Sequence, residues 1–119
     1  MSVKIIKTRA SVFFKIDSNT LTAFKKEKKI IGVSQNIFYK KNTEKVPRLG
    51  IFIPKKTLSL AVLRNKLRRK IREDFKKDQK DLFSYDILVV IKQKINAPKT
   101  NIDNIYIQEW KELKKSLSK

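Results

Sequence analysis

Residues 64–72 read Arg64-Asn65-Lys66-Leu67-Arg68-Arg69-Lys70-Ile71-Arg72 and hold six cations in nine positions. Arginine suits phosphate, because its planar fork gives paired hydrogen bonds as well as charge. The chemistry on offer is recognition of a polyanion. Bond-breaking groups are scarce by comparison. The chain has no histidine and no cysteine, which removes the commonest general base, the commonest metal ligand and every thiolate. Asp17, Asp86 and Asp103 are scattered and fit caps or loops. With two glycines in the whole chain, a glycine-rich phosphate loop is also absent. The sequence points to no catalytic residue and no metal ligand.

A helix must position the cations. Leu63, Leu67 and Ile71 recur every four residues, which at about 100° per residue keeps them on one stripe, with Phe75 at its edge. Asn65, Arg68, Arg69 and Arg72 fall on the other side. A run of charge is most often a solvated helix face, but here the acids that usually intersperse are missing until Glu73 and Asp74. Asn65 can bond a base edge or a sugar, or cap the helix's own start; the sequence leaves both open. Lys55 and Lys56 follow a strand and precede the helix, where an anion is favoured, and a plain turn reads equally well.

Around this helix the pattern is mixed. Asp17-Ser18-Asn19-Thr20 offers N-caps for a short helix from Leu21 to about Lys29, and Gly32 ends that pattern. Residues 33–40 alternate as a strand through Val33, Ile37 and Tyr39, Lys41 to Arg48 is a turn, and Leu49 to Ile53 is a second strand. The basic helix runs from about Leu60 to Lys77. Tyr85 to Ile91 is the most apolar run and reads as a central strand. After a loop holding Pro98, Ile102, Tyr106, Trp110, Leu113 and Leu117 mark a final helix. The order helix, two strands, helix, strand, helix predicts one α+β domain over 1–119, with a further short strand or an N-terminal extension. Residues 1–16 have no clean period and are expected to fold only on RNA.

Thirty Lys+Arg stand against eleven acids, a formal net charge of +19. That imbalance costs folded stability through self-repulsion, so a polyanionic partner is its simplest reason. With 40% hydrophobic residues the chain is not a disordered tail. No run approaches a membrane span, so no membrane partner is expected, and the lack of cysteine is compatible with a reducing cytoplasm. Exposed rings stack on single-stranded bases, and Phe24, Phe38, Tyr39, Phe52 and Tyr85 are candidates. Phe24 and Tyr39 stand out because lysines neighbour both.

The string from Leu49 to Lys56, seven further residues, then Arg64 to Phe75 resembles the signature of the bacterial ribonuclease P protein subunit. In that family a strand ending in two lysines precedes a helix opening Arg-Asn-Arg. The resemblance extends to Phe24, to Gln35–Tyr39 and to Tyr85–Lys92. It implies a two-layer α+β sandwich of about four strands and three helices, like a ribosomal-protein domain, with a left-handed βαβ crossover. It implies the protein cofactor of a ribonucleoprotein that removes 5′ leaders from precursor transfer RNA. Catalysis would lie in ribonuclease P RNA and the Mg²⁺ bound mainly by it. Arg64, Asn65, Lys66, Arg68, Arg69 and Arg72, with Lys55 and Lys56, would meet that RNA, and Phe24, Tyr39 and Thr20 would line the leader cleft.

The chain departs from the pattern in four places. Lys66 replaces an arginine and loses its fork, and Pro54 holds a position usually small or polar. Leu58 lies in a stretch that lacks a common glycine. Thr20 stands where many members have a second cleft phenylalanine. Composition alone favours a structural RNA-binding protein of ribosomal type. A nuclease acting by itself would need a metal site that the sequence does not show.

Overall fold

The computed structural model describes residues 12–119. Helix α1 (Ser18–Phe24) leads into the hairpin of β1 (Lys28–Ile31) and β2 (Gln35–Lys41). Strand β3 (Arg48–Phe52) is followed by the long basic helix α2 (Ala61–Asp78), strand β4 (Tyr85–Ile91) and helix α3 (Ile102–Lys114). The sheet order is β1-β2-β4-β3, with β3 and β4 parallel and the other pairs antiparallel. A parallel pair needs a crossover, and α2 supplies it. This is the four-stranded, three-helix α+β architecture that the sequence and the family resemblance imply.

Strand alternation sorts the two faces. Ile37, Leu49, Ile51, Ile87, Val89 and Ile91 point to one side, where Leu67, Ile71 and Phe75 of α2 and Tyr106 and Trp110 of α3 complete the main core. Facing the other way are Phe38, Lys40, Arg48, Gly50, Asp86 and Leu88, as the strand register requires. Helix α1 lies against that second face, and only its Phe24 is buried.

Three expectations change. The first helix ends at Phe24 instead of running to about Lys29, because Lys25 to Lys29 offers no apolar stripe. Lys28–Ile31 pairs as β1, with Ile30 opposite Ile37. Val33 leaves the strand and lies exposed in the hairpin turn. There the Glu109 carboxylate accepts from the Val33 amide at 2.7 Å, the Ser34 amide at 3.0 Å and the Ser34 hydroxyl at 2.7 Å. Gly32 is needed for space, since a Cβ would come within 2.6 Å of the Gln35 carbonyl oxygen.

Residues 1–11 of the segment expected to fold only on RNA lie outside the described residues. Its remainder runs beside β3. Phe13 bridges Leu49 in parallel, the Phe14 amide donates to the Leu49 carbonyl at 3.1 Å, and the Leu49 amide donates to that of Val12 at 2.8 Å.

Candidate nucleic-acid interface

Helix α2 has three sides, and its sequence spacing assigns them. Leu67, Ile71 and Phe75 are buried and Leu63 is half-buried, as the apolar stripe predicts. One flank turns to α3. There Lys70 pairs with the buried Asp103 carboxylate at 2.5 Å and Lys66 lies 3.7 Å from it. The opposite flank presents Asn65, Arg68, Arg69, Arg72 and Lys76, which with Phe13 and Glu73 line an open pocket of about 400 Å³, Glu73 lying 3.8 Å from Arg69. The structure therefore separates Lys66 from the arginines that it accompanies in sequence.

Phe13 is the residue that the sequence did not single out. Its ring packs 6.1 Å from that of Phe75, while the Arg72 guanidinium lies 5.1 Å and the Lys76 ammonium 5.5 Å from its centroid. A ring face attracts cations through its quadrupole, so Phe13 holds both groups over the pocket. Phe13, Arg68 and Arg72 also line an adjoining hollow of about 570 Å³ with Phe14, Lys15 and Phe52. Burial, with the nearby Arg72 and Arg64, pushes the Arg68 guanidinium below its ordinary pKa. It stays charged, so the crowding is repulsion that a bound anion relieves.

Two residues near the helix start have local work. Arg64 donates to the carbonyls of Leu58 at 2.9 Å and Ser59 at 2.7 Å, tying the helix to the preceding turn. Asn65 accepts from Arg68 at 3.2 Å, and the N-cap position belongs to Leu60, so the capping alternative for Asn65 is ruled out. Lys55 and Lys56 are exposed on a turn in which the Pro54 carbonyl accepts from Thr57 and Leu58.

The second candidate surface lies between α1 and the sheet. The Phe14 and Phe24 rings stack, parallel to within 1° and 5.9 Å apart. Arg48 lies 5.7 Å over Phe14 and Lys40 lies 5.1 Å over Phe24. Gly50 makes room for this, since a Cβ there would come within 2.5 Å of the Phe14 ring and 2.6 Å of Ile16. With Thr20 and Asp86 these residues line a hollow of about 380 Å³. Arg48 grips Asp86 through two hydrogen bonds of 2.7 Å, and Asn42 adds a third at 3.0 Å. Burial raises the Asp86 pKa, but these donors win and hold the carboxyl below its usual range. Thr20 donates its hydroxyl to Asp17, the α1 N-cap.

Phe24 and Thr20 thus meet as the sequence expects, but Tyr39 does not join them. Tyr39 lies opposite Ile87 on the main-core face and packs 5.0 Å from Tyr85. One residue of alternation decides this: Phe38, opposite Leu88, is the β2 aromatic on the α1 face. Among the described residues no three His, Cys, Asp or Glu side chains gather where they could hold a metal ion, and no helix is long and apolar enough to cross a membrane.

The sequence pattern of the family described as Ribonuclease P matches residues 14–118. The ribonuclease P protein component of Nitrosococcus oceani is 36% identical over 83 residues, which span 69% of this chain and 70% of that one. Its counterpart from Stutzerimonas stutzeri is 29% identical over 92 residues, 76% of this chain and 70% of the relative. The Staphylococcus aureus RNase P protein structure superposes with a TM-score of 0.67 at 30% identity, covering 87% of this chain and 95% of that one. The RNase P protein of Thermotoga maritima shares the fold, with a TM-score of 0.68 at 23% identity over 89% and 99% of the two chains.

Proposed function

This chain belongs to the ribonuclease P protein family, and on that premise we propose that it is the protein subunit of a ribonuclease P endoribonuclease, with ribonuclease P RNA as its partner and precursor transfer RNA as the substrate. Two surfaces divide the work. The outward flank of α2 (Asn65, Arg68, Arg69 and Arg72, extended by Lys76) holds the catalytic RNA, with Lys55, Lys56 and Arg64 at its start. The hollow between α1 and the sheet holds the single-stranded 5′ leader, with Phe14 and Lys40 presented above Phe24 and beside Thr20. Tyr39 and Lys66 fall outside both surfaces.

The observation that carries this reading is the crowding of Arg68, Arg72 and Lys76 around the pocket that Phe13 lines, with Arg68 depressed by burial and by its cationic neighbours. Such a cluster is poised for phosphate. Three of the less exposed acids are occupied: Asp86 by Arg48, Asp103 by Lys70, and Asp74 by Lys114 and Trp110. The RNA and the Mg²⁺ that it mainly binds supply the hydrolytic chemistry. This chain neutralises phosphate, fixes the RNA's register and lengthens the substrate contact along the leader. Its place of work is the cytoplasm.

The test is reconstitution at low Mg²⁺, where the RNA alone works poorly. Purified chain, a bacterial ribonuclease P RNA and precursor transfer RNA are mixed, and release of the 5′ leader is followed. Accurate cleavage that needs both chain and RNA is expected. Unchanged cleavage, with binding no tighter than to unrelated RNA, would hand the chain to the structural RNA-binding class.

A further inference from the structure

We propose that the aromatic ladder Tyr39–Tyr85–Phe83, with Lys28 and Lys41, is a second platform for single-stranded RNA, on the sheet face opposite the α1 hollow. The three rings form a row: Tyr39 and Tyr85 are 5.0 Å apart, and Tyr85 and Phe83 are 5.8 Å apart. The row opens outward. Tyr39 and Tyr85 are half-buried on the core, whereas Phe83 is 46% exposed. A large ring left in water at the end of an aromatic row forgoes the burial that normally holds phenylalanine inside.

Cations stand beside the rings in register. Lys28 lies directly opposite Tyr39 on the edge strand, and Lys41 lies directly opposite Tyr85. Residues paired across antiparallel strands share a face, so both lysines rise on the same side as the tyrosines. Both are exposed, and among the described residues neither makes an ion pair. Rings for bases beside cations for the backbone is the pairing that holds single strands without sequence preference. The charge argues against a second copy as occupant, since two chains of +19 repel. The ladder crosses the two central strands β2 and β4, with Lys28 beside it on β1, whereas Phe13, Arg68 and Arg72 gather beside the β3 edge. The inference rests on the reading that the chain binds RNA, but on neither surface assigned above.

The test uses Phe83→Trp as a reporter, since the native Trp110 is fully buried. The variant is titrated with a fluorescently end-labelled 12-nucleotide uridine oligomer, and anisotropy reports total binding. Stacking should quench the new tryptophan in step with anisotropy, and adding Lys28→Gln and Lys41→Gln should weaken that quenching several-fold. Phe83→Ala should lower oligomer affinity by a similar factor while the thermal midpoint stays close to that of the native chain. Oligomer binding by anisotropy with unchanged tryptophan emission and unaltered Phe83→Ala affinity would overturn the platform and leave the two-surface reading standing. Quenching that grows with protein concentration in the absence of RNA would overturn it in favour of self-association. No oligomer binding at all, alongside intact leader cleavage in the reconstituted enzyme, would also overturn it. Loss of both would fail the broader reading as well.

Discussion

Phe13 joins the hydrophobic interior to the charged surface, with Phe75 on one side and Arg72 and Lys76 on the other. Replacing it with leucine keeps apolar contact but removes the π face, so Phe13→Leu should weaken binding of ribonuclease P RNA several-fold, and Phe13→Tyr should restore it. A filter-binding series on the three proteins checks this. Phe24 calls for a different expectation. Its ring is 3% exposed, so Phe24→Ala should cost about 3 kcal/mol or more of stability, read from urea unfolding, whatever it does to the leader. The roles of residues were unevenly legible. Arg68 and Arg72 could be placed from helical spacing alone, because four-residue recurrence of Leu63, Leu67 and Ile71 fixes the outward flank. Phe13 could not, because its partners lie some sixty residues away in sequence. Tyr39 was assigned by its lysine neighbours and its family position, and strand alternation, which depends on the register with β4, gives Phe38 that face instead.

At the scale of elements, α2 is held on α3 by a polar lock. Lys114, nearly buried, pairs with Asp74 and lies 2.5 Å from Asp78, and the Trp110 indole donates to Asp74 at 2.9 Å. Asp74→Ala leaves Lys114 held by Asp78 alone and the Trp110 indole without an acceptor, and should destabilise the fold by about 1–3 kcal/mol, measurable by thermal or urea unfolding. Acid should act in the same direction. Burial raises the carboxyls of Asp86, Asp103 and Glu109, yet their hydrogen bonds and cations prevail and leave all three below their ordinary values of 3.8, 3.8 and 4.5. A depressed folded pKa means that the unfolded chain binds more protons at acid pH. The stability from these groups is full above the unfolded carboxylate range and is lost as pH falls from there through the lower folded values. A thermal midpoint that drops from about pH 5 downward is expected, and a midpoint flat to pH 3 would contradict the assignment. Helix α2, strand β4 and the start of helix α3 were legible to within a residue or two because each is long and strongly periodic, whereas α3 ends at Lys114 and Leu117 closes a 3-10 turn beyond it. Strand β1 was not, because a lysine-rich run has no period of its own and takes its conformation from Ile37 and the Glu109 cap on the turn.

The whole molecule is a small scaffold carrying a net charge of +19. If it contacts roughly six to ten phosphates, the slope of log affinity against log salt should be about −4 to −9, and a slope near zero would remove the phosphate-holding account. That charge was visible in composition, but its division was not. Only the sheet register and the crossover show that α1 and the basic flank of α2 lie on different surfaces, joined where Phe13 and Phe14 run along β3. That division is the central claim. Its direct measurement compares Arg68→Ala and Phe14→Leu for two quantities: affinity for ribonuclease P RNA, and the gain in substrate affinity that the 5′ leader brings to the reconstituted enzyme. Arg68→Ala should lose the first and keep the second once the complex is saturated, and Phe14→Leu should do the reverse. Equal losses of both quantities in both variants would contradict two separate surfaces.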